Sequence, residues 1–448
     1  STPPLEALRL IVSHAATIDS ERPGERRELM VNDVRRAYFY AKQQRNVFIE
    51  LPAEDEEATS GEVGQLMLCL YGTRDAAREW QRTLSTHLLE IGFVAGRGHP
   101  SVFSHPTRGI RLLVHGDDYF SAGHKEELDW LEAELLKKYE LQSQRVGNGE
   151  GQDDELKILN RIVRRTVAGY EVEADPRHVE LVILQTNQEK ARPLVMPAID
   201  GKEEDDNDEE DLPLDPERAR AYRGTVARIN YLAADRPDVQ FSTKESCRDM
   251  SNPTEGSWRR LERICRHLLG KPRLIWRFDL QHETTVIDGF SDANWAGCRR
   301  TRKSTSGGAL LIGTHLIKTY AKTQATIAKS SAESELYGIV RTTCEGLGLI
   351  TLMEDLGAEG TVRLHMDATA AQGVIDRRGI SKIRHLDVTV LWIQEQLARE
   401  MAPISKVLGT ENGADLMTKN VGADLIAKHC ARLSLEFREG RATKAAGL

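Results

Sequence analysis

Residues Leu112 to Gly123 read LLVHGDDYFSAG: an apolar run, a glycine, then the adjacent acids Asp117 and Asp118. Like charges a few ångströms apart repel and raise each other's pKa, so a strand ending in two carboxylates is unfavourable unless a cation is bound there. Hard Mg²⁺ takes carboxylate and water oxygens and commonly completes its shell with substrate phosphates. The pair is thus a candidate phosphoryl-transfer centre, and the bland alternative is an acid-rich turn facing water. Asp33 closes a second apolar strand, LMVNDV. Alone it is an ordinary strand-end acid. Delivered to the same edge as Asp117 and Asp118, it supplies the carboxylate from a separate element that two metals about 4 Å apart require. Further along lie Asp292, Glu335, Asp367 and Asp415. Each by itself reads as a strand-end or helix-start acid.

The elements that must position these acids follow from periodicity. Leu5, Leu8, Ile11, Val12, Ala15 and Ile18 recur at helical spacing, as do Trp80, Leu84, Leu88 and Ile91, and Leu128, Leu131, Leu135 and Leu136. The order helix, strand, helix, paired strands, helix predicts an α+β domain on an antiparallel sheet with helices on one face. Leu156 to Val163 with Gly169 to Val172 predicts a hairpin, and His178 to Gln185 a short helix. After Pro253 a helix carries Trp258, Leu261, Ile264, Cys265 and Leu268 on one side and Arg259, Arg260, Arg263 and Arg266 on the other. Such a basic face could track a nucleic-acid backbone or could be a salt-bridged surface, since Glu255 and Glu262 are near in sequence. From about residue 284 strands at Thr285 to Ala296, Thr305 to Thr314 and His315 to Tyr320 form a meander. A long helix follows with Ser331 as its N-cap; then come strand Val362 to Met366, helix Ala368 to Ile375, strand Ile404 to Leu408 and a helix opening near Asp415.

Composition bounds the class. At 448 residues with 40% hydrophobic and 29% charged residues, this is a multidomain globular chain without a run of about 18 apolar residues, so no transmembrane helix and no membrane partner are expected. Its first residues lack signal-peptide character, and a start at Ser1 reads as a piece of something longer. Six cysteines without a Cys-x-x-Cys pair argue against a zinc module or a disulfide framework and fit a reducing compartment. The segment EEDDNDEED, residues 203–211, carries 8 acids and accounts for the whole net charge of -8. It reads as a solvated linker, or alternatively as a nucleic-acid mimic for a basic groove.

NDVRRAYF from Asn32, LYG to Trp80 and HGDD from His115 resemble, in order and spacing, the palm motifs of the reverse transcriptase in copia-type LTR retrotransposon Pol polyproteins. YRG to YL from Tyr222 and RPDV from Arg236 resemble a later region of the same family. FSDANWAG from Phe290, SSAESELYGI from Ser330, MDA from Met366, and ADLMTK from Ala414 are similar to its ribonuclease H motifs. The resemblance implies a polymerase palm and thumb, the fingers preceding residue 1, and then a ribonuclease H-like α/β domain with a mixed five-stranded sheet. The implied domains are 1–175 palm with a remnant of fingers, 176–283 thumb and connection, 284–425 ribonuclease H and 426–448 a C-terminal tail.

By the same resemblance Asp33, Asp117 and Asp118 hold one pair of Mg²⁺ ions, and Asp292, Glu335, Asp367 and Asp415 another, with Mn²⁺ as a substitute. Glu335 is chosen over Glu333 because ELYGI aligns with the family's register, leaving Glu333 to favour the helix N-terminus. Tyr38 falls where the family packs an aromatic against the incoming sugar. His115 and Gly116 depart from the family's Tyr and Val. Arg259, Arg260, Arg263, Arg266, Lys303 and Lys329, with Arg302 and Arg384, are implied backbone contacts. The implied partners are an RNA template, a DNA primer, an RNA:DNA hybrid, dNTPs and the upstream Pol polyprotein, in a cytoplasmic element particle or the nucleus. A ribonuclease H with a disabled polymerase and a non-catalytic binding remnant remain as alternatives.

Overall fold

The computed structural model describes residues 3–59, 61–147, 153–199, 211–368, 373, 387–399, 403–443 and 445. Arg384, nearly all of the predicted helix Ala368 to Ile375, and the acidic stretch apart from Asp211 lie outside the described residues. The chain divides into two compact units, Ser1–Ala15 with Glu21–Asp154 and Thr351–Ala358, and Ala16–Ser20 with Glu155–Ile350 and Glu359–Leu448.

The first unit is built on strands β1 (Glu28–Val34), β2 (Val94–Ala95), β3 (Val102–His105), β4 (Ile110–His115), β5 (Asp118–Gly123) and β6 (Leu141–Val146), ordered β2-β3-β4-β5-β1-β6 and antiparallel throughout. Helices α2 (Ala76–Glu90) and α3 (Lys125–Leu136) share one core with the Met30, Val34, Leu112, Val114 and Tyr119 row of the sheet. The expectation of helices on one face fails. Alternation gives β1, β4 and β5 a second apolar row, Leu29, Val31, Leu113, Phe120 and Ala122, which is also buried. Helix α1 (Leu5–Ala15) contacts β1, β4 and β5, yet no residue of it joins the α2–α3 core, so both faces are covered. His14 Nε2 meets the Gly109 carbonyl at 3.1 Å, at the end of the sheet away from the acids.

The second unit holds two five-stranded sheets. One comprises β7 (Glu155–Ile158), β8 (Arg161–Arg165), β9 (Gly169–Ala174), β10 (Arg273–Asp279) and, closing the edge, Leu435–Arg438. The expected boundaries at 175 and 426 are therefore corrected. The 155–174 strands pair onward with β10 rather than with the first sheet, and Leu435–Arg438, far from being a tail, pairs antiparallel with Arg273–Trp276. Helices α4 (Arg177–Gln185), α5 (Pro216–Leu232), α6 (Pro237–Cys247) and α7 (Glu255–Gly270) form their own core around Val182, Tyr222, Val226, Ile229, Leu261 and Ile264. Helix α7 starts at a capping box, Thr254 Oγ1 accepting from Ser257 N and Ser257 Oγ accepting from Thr254 N. Arg236 and His267 both converge on the fully buried Asp238 of α6, at 2.7 to 2.9 Å.

The other sheet carries β11 (Val286–Asn294), β12 (Thr305–Ile312), β13 (His315–Thr323), β14 (Thr361–Met366) and β15 (Ile404–Lys406), ordered β13-β12-β11-β14-β15. The meander is antiparallel, whereas β14 and β15 add in parallel, which makes the mixed five-stranded sheet anticipated from the sequence. Parallel neighbours need a crossover, and α8 (Ser331–Asp355) supplies the one between β13 and β14. α9 (Asp387–Ala398) precedes β15, and α10 (Ala423–Arg432) precedes the edge strand β16 (Leu435–Arg438). Ser330 rather than Ser331 caps α8, its Oγ accepting from Glu333 N at 3.2 Å. No described helix is long and apolar enough to cross a membrane.

Candidate metal centre

Three elements bring Asp292, Glu335 and Asp367 together. Asp292 sits near the end of β11, Asp367 follows the last residue of parallel neighbour β14, and Glu335 lies in the second turn of α8. One carboxylate oxygen from each lies within 4.8 Å of the other two. Among the described residues this is the only such convergence of acidic, histidine or cysteine ligands. Glu335 is 6% exposed and its Oε2 has no hydrogen-bond partner. Burial, then the charges of Asp292 and Asp367, push the Glu335 carboxyl up to about 9. Burial and Asp292 likewise raise Asp367. Acids so placed repel unless a cation or a proton joins them.

Glu333 behaves as a helix-start acid, its Oε2 accepting from the Lys329 amide at 2.9 Å. Asp415 stands apart from the trio. It lies in a 3₁₀ turn, Gly413–Met417, where Lys419 Nζ approaches its Oδ1 at 2.8 Å. Burial followed by the Asp292 charge pushes Asp415 up to about 6. Burial would lower Lys419, but Asp292 and Asp415 outweigh it and hold its ammonium above the usual range.

The turn is fastened to β11 by polar side chains. Asn412 Nδ2 donates to the Ser291 carbonyl at 2.8 Å while its Oδ1 caps Ala414 N, and Asn294 Nδ2 donates to the Thr418 carbonyl. Thr418 Oγ1 donates to Asp292 Oδ2. Gly307, directly opposite Asp292 on β12, makes this approach feasible. A Cβ there would lie 2.6 Å from Thr418 Cγ2 and 2.8 Å from Met417 Cβ. The sequence marked the acids and the ADLMTK motif, but not the roles of Thr418 and Lys419 beside Asp292, nor Gly307. The Gly307-Gly308 pair inside a strand was the available signal, since glycine in a strand interior often marks close backbone approach.

The other predicted triad sits in the first unit. Asp33 on β1 pairs directly across from Asp118 on β5. The β4–β5 hairpin turns through Gly116 and Asp117, Gly116 at φ 67°, and its carbonyl accepts from Trp80 Nε1 at 2.8 Å. Burial, then Asp117 and Asp33, push Asp118 up to about 6; burial and Asp117 also raise Asp33. The three are electrostatic neighbours, but their ligand oxygens do not converge as the first trio's do. Asp117 occupies the turn itself rather than a strand, and its carbonyl accepts from Val34 N at 3.1 Å, next to Asp33. Tyr38 packs against Tyr71, ring centroids 4.3 Å apart and planes tilted by 35°, and partly against the core.

Of the α7 arginines, Arg260 and Arg263 line a cleft of about 410 Å³ together with Arg248, Arg299, Arg300 and Lys419. Arg263 Nε is buried there without a hydrogen-bond partner. Arg260 is held by Asp249 at 2.9 Å. Arg266 instead donates to the Arg192 carbonyl, and Arg259 is exposed; neither lines the cleft. Lys303 is half-buried and Lys329 exposed, and neither lines it.

No protein-family model matches the chain. It is 28% identical over 363 residues, 80% of its length, to the retrovirus-related Pol polyprotein from transposon RE2 of Arabidopsis thaliana. It is 24% identical over 437 residues, 93% of its length, to the corresponding polyprotein from transposon TNT 1-94 of Nicotiana tabacum. Its homologues are thus copia-type Pol polyproteins from transposons. The chain spans 24% of the RE2 and 31% of the TNT 1-94 polyprotein. Among solved structures, ribonuclease H1 from Halobacterium salinarum NRC-1 is matched at TM-score 0.24 and 13% identity, over 30% of this Pol chain and 94% of that one.

Proposed function

We propose that this Pol chain cleaves the RNA strand of an RNA:DNA hybrid at the centre formed by Asp292, Glu335 and Asp367. The observation that carries the reading is their convergence from three elements within 4.8 Å, with Glu335 Oε2 buried and unpartnered. An all-oxygen donor set of this kind suits Mg²⁺ or Mn²⁺. Such an ion, when bound, lowers the pKa of a coordinated water and offsets charge on the phosphodiester. The protein's part is to hold the acids rigidly on two adjacent strands and a buried helix. Thr418 fixes the rotamer of Asp292 by its hydrogen bond. Arg260, Arg263, Arg299 and Arg300 offer cationic contacts to the backbone of a bound duplex. Discrimination for RNA would rest on its 2′-hydroxyls and on hybrid shape.

A second activity, RNA-directed DNA synthesis from dNTPs on a primed template, is proposed for Asp33, Asp117 and Asp118. The cross-strand Asp33–Asp118 pair beside the Gly116–Asp117 turn supports it. Primer extension and hybrid cleavage in Mg²⁺ test the two together. Asp118→Asn should abolish the first and spare the second, and Asp292→Asn the reverse, each by about 10²-fold or more. Cleavage without extension supports a disabled polymerase. Salt-dependent hybrid binding with neither activity supports a non-catalytic remnant.

A further inference from the structure

A two-metal carboxylate site relies on one acid that bridges, giving one oxygen to each ion. By its position among Glu335, Asp367 and Asp415, Asp292 is the candidate bridge. Its Oδ2, however, already accepts from Thr418 Oγ1 and lies 3.9 Å from Lys419 Nζ. Asp415, the acid that would complete a second ion's shell, has its Oδ1 2.8 Å from the same ammonium and does not join the converging trio. Thr418 and Lys419 are consecutive, so the turn that presents Asp415 delivers a hydroxyl and an ammonium to the same side of Asp292. On the other side Glu335 Oε2 is buried with neither a hydrogen bond nor an ion pair among the described residues, whereas Asp415 Oδ1, also without a hydrogen bond, has the Lys419 ammonium at 2.8 Å.

We propose that Lys419 takes the place of the second metal: the centre holds one divalent ion on Asp292, Glu335 and Asp367, and the Lys419 ammonium holds Asp415 and Asp292. This rests on the metal reading above. It departs from the pair of ions implied by resemblance. An ammonium is a compact point charge with three donors, so it can keep two carboxylates together and still offer a proton-bearing contact to a phosphate oxygen. Lys419 also lines the cleft that carries Arg248, Arg260, Arg263, Arg299 and Arg300.

Counting ions rather than turnover tests this. Mn²⁺ binding to the full chain is followed by electron paramagnetic resonance of the free ion, in an Asp33→Asn/Asp118→Asn background that silences the first unit's acids. With Lys419 present, one ion should be lost on adding Asp367→Asn. Lys419→Met should raise the count at this centre to two, and Lys419→Arg should leave it at one. Two ions bound with Lys419 intact, or no gain in Lys419→Met, would overturn the lysine's role while leaving the metal reading standing. If Asp367→Asn removes no ion, the metal reading itself falls and the lysine proposal with it.

Discussion

At the scale of residues, Glu335 is a buried carboxyl that faces two further carboxylates. Its folded pKa of about 9 lies above the ordinary 4.5, so the folded state binds its proton more tightly than the unfolded chain does. The associated stability is fully present below pH 4.5 and is lost as pH rises toward about 9. Metal-free protein should therefore melt at progressively lower temperature across that window. Mn²⁺ should raise the melting temperature most at the alkaline end, because an ion that binds only the folded state stabilises by mass action. Glu335→Gln should flatten the metal-free pH profile and remove most of the Mn²⁺ effect, both read by thermal melts. Asp292 and Asp367, each bland by itself, were legible because four acids follow the order of the family's ribonuclease H motifs. Thr418 and Lys419 stood inside the ADLMTK motif, but their roles were not legible, since nothing in the sequence shows that this turn folds back on β11 to meet Asp292.

At the scale of elements, the five strands β11 to β15 were legible in chain order as extended runs between turn signals, and their mixed sheet followed from the family resemblance; their spatial order β13-β12-β11-β14-β15 comes from backbone pairing. Leu435–Arg438 escaped notice for the opposite reason: four residues reading LEFR carry too little alternation to stand out. The second covered face of the first sheet was missed because α1 is distant in sequence from β4 and β5, and periodicity does not report pairing over such separations. Gly307→Ala tests the packing of the metal centre directly. The new methyl must displace Thr418 or Met417, so Mn²⁺ affinity should fall about tenfold or more while circular dichroism stays native. Unchanged affinity would show that the turn does not position Asp292. Within the helical part, Asp238 is buried and would be raised by that burial, but Arg236 and His267 hold its carboxyl well below the usual range. Asp238→Asn breaks a buried pair and should cost about 3–5 kcal/mol in denaturant melts.

At the scale of the whole molecule, the two acidic constellations fall in different compact units, and each unit has its own core. Loss of one centre should leave the other's chemistry intact. The basic cleft belongs to the second unit, so Arg260→Gln with Arg263→Gln should weaken hybrid binding. It should also flatten the dependence of log affinity on log salt by about 0.9 for every phosphate that the variant no longer neutralises. Substitutions at Arg259 or Arg266, which do not line the cleft, should change that slope less. The two units cut across the four segments that the resemblance implies. Sequence resemblance follows motifs, whereas β7 to β9 join the second unit through backbone pairing with β10.

The metal centre stands or falls on hybrid cleavage by the chain carrying Asp118→Asn, in Mg²⁺ or Mn²⁺, with each strand labelled in turn. The RNA strand should be cut into short products, the DNA strand should survive, and Asp367→Asn should reduce cutting by about 10²-fold or more. Equal cutting of both strands, or cutting that persists in Asp367→Asn, would contradict the assignment of this centre.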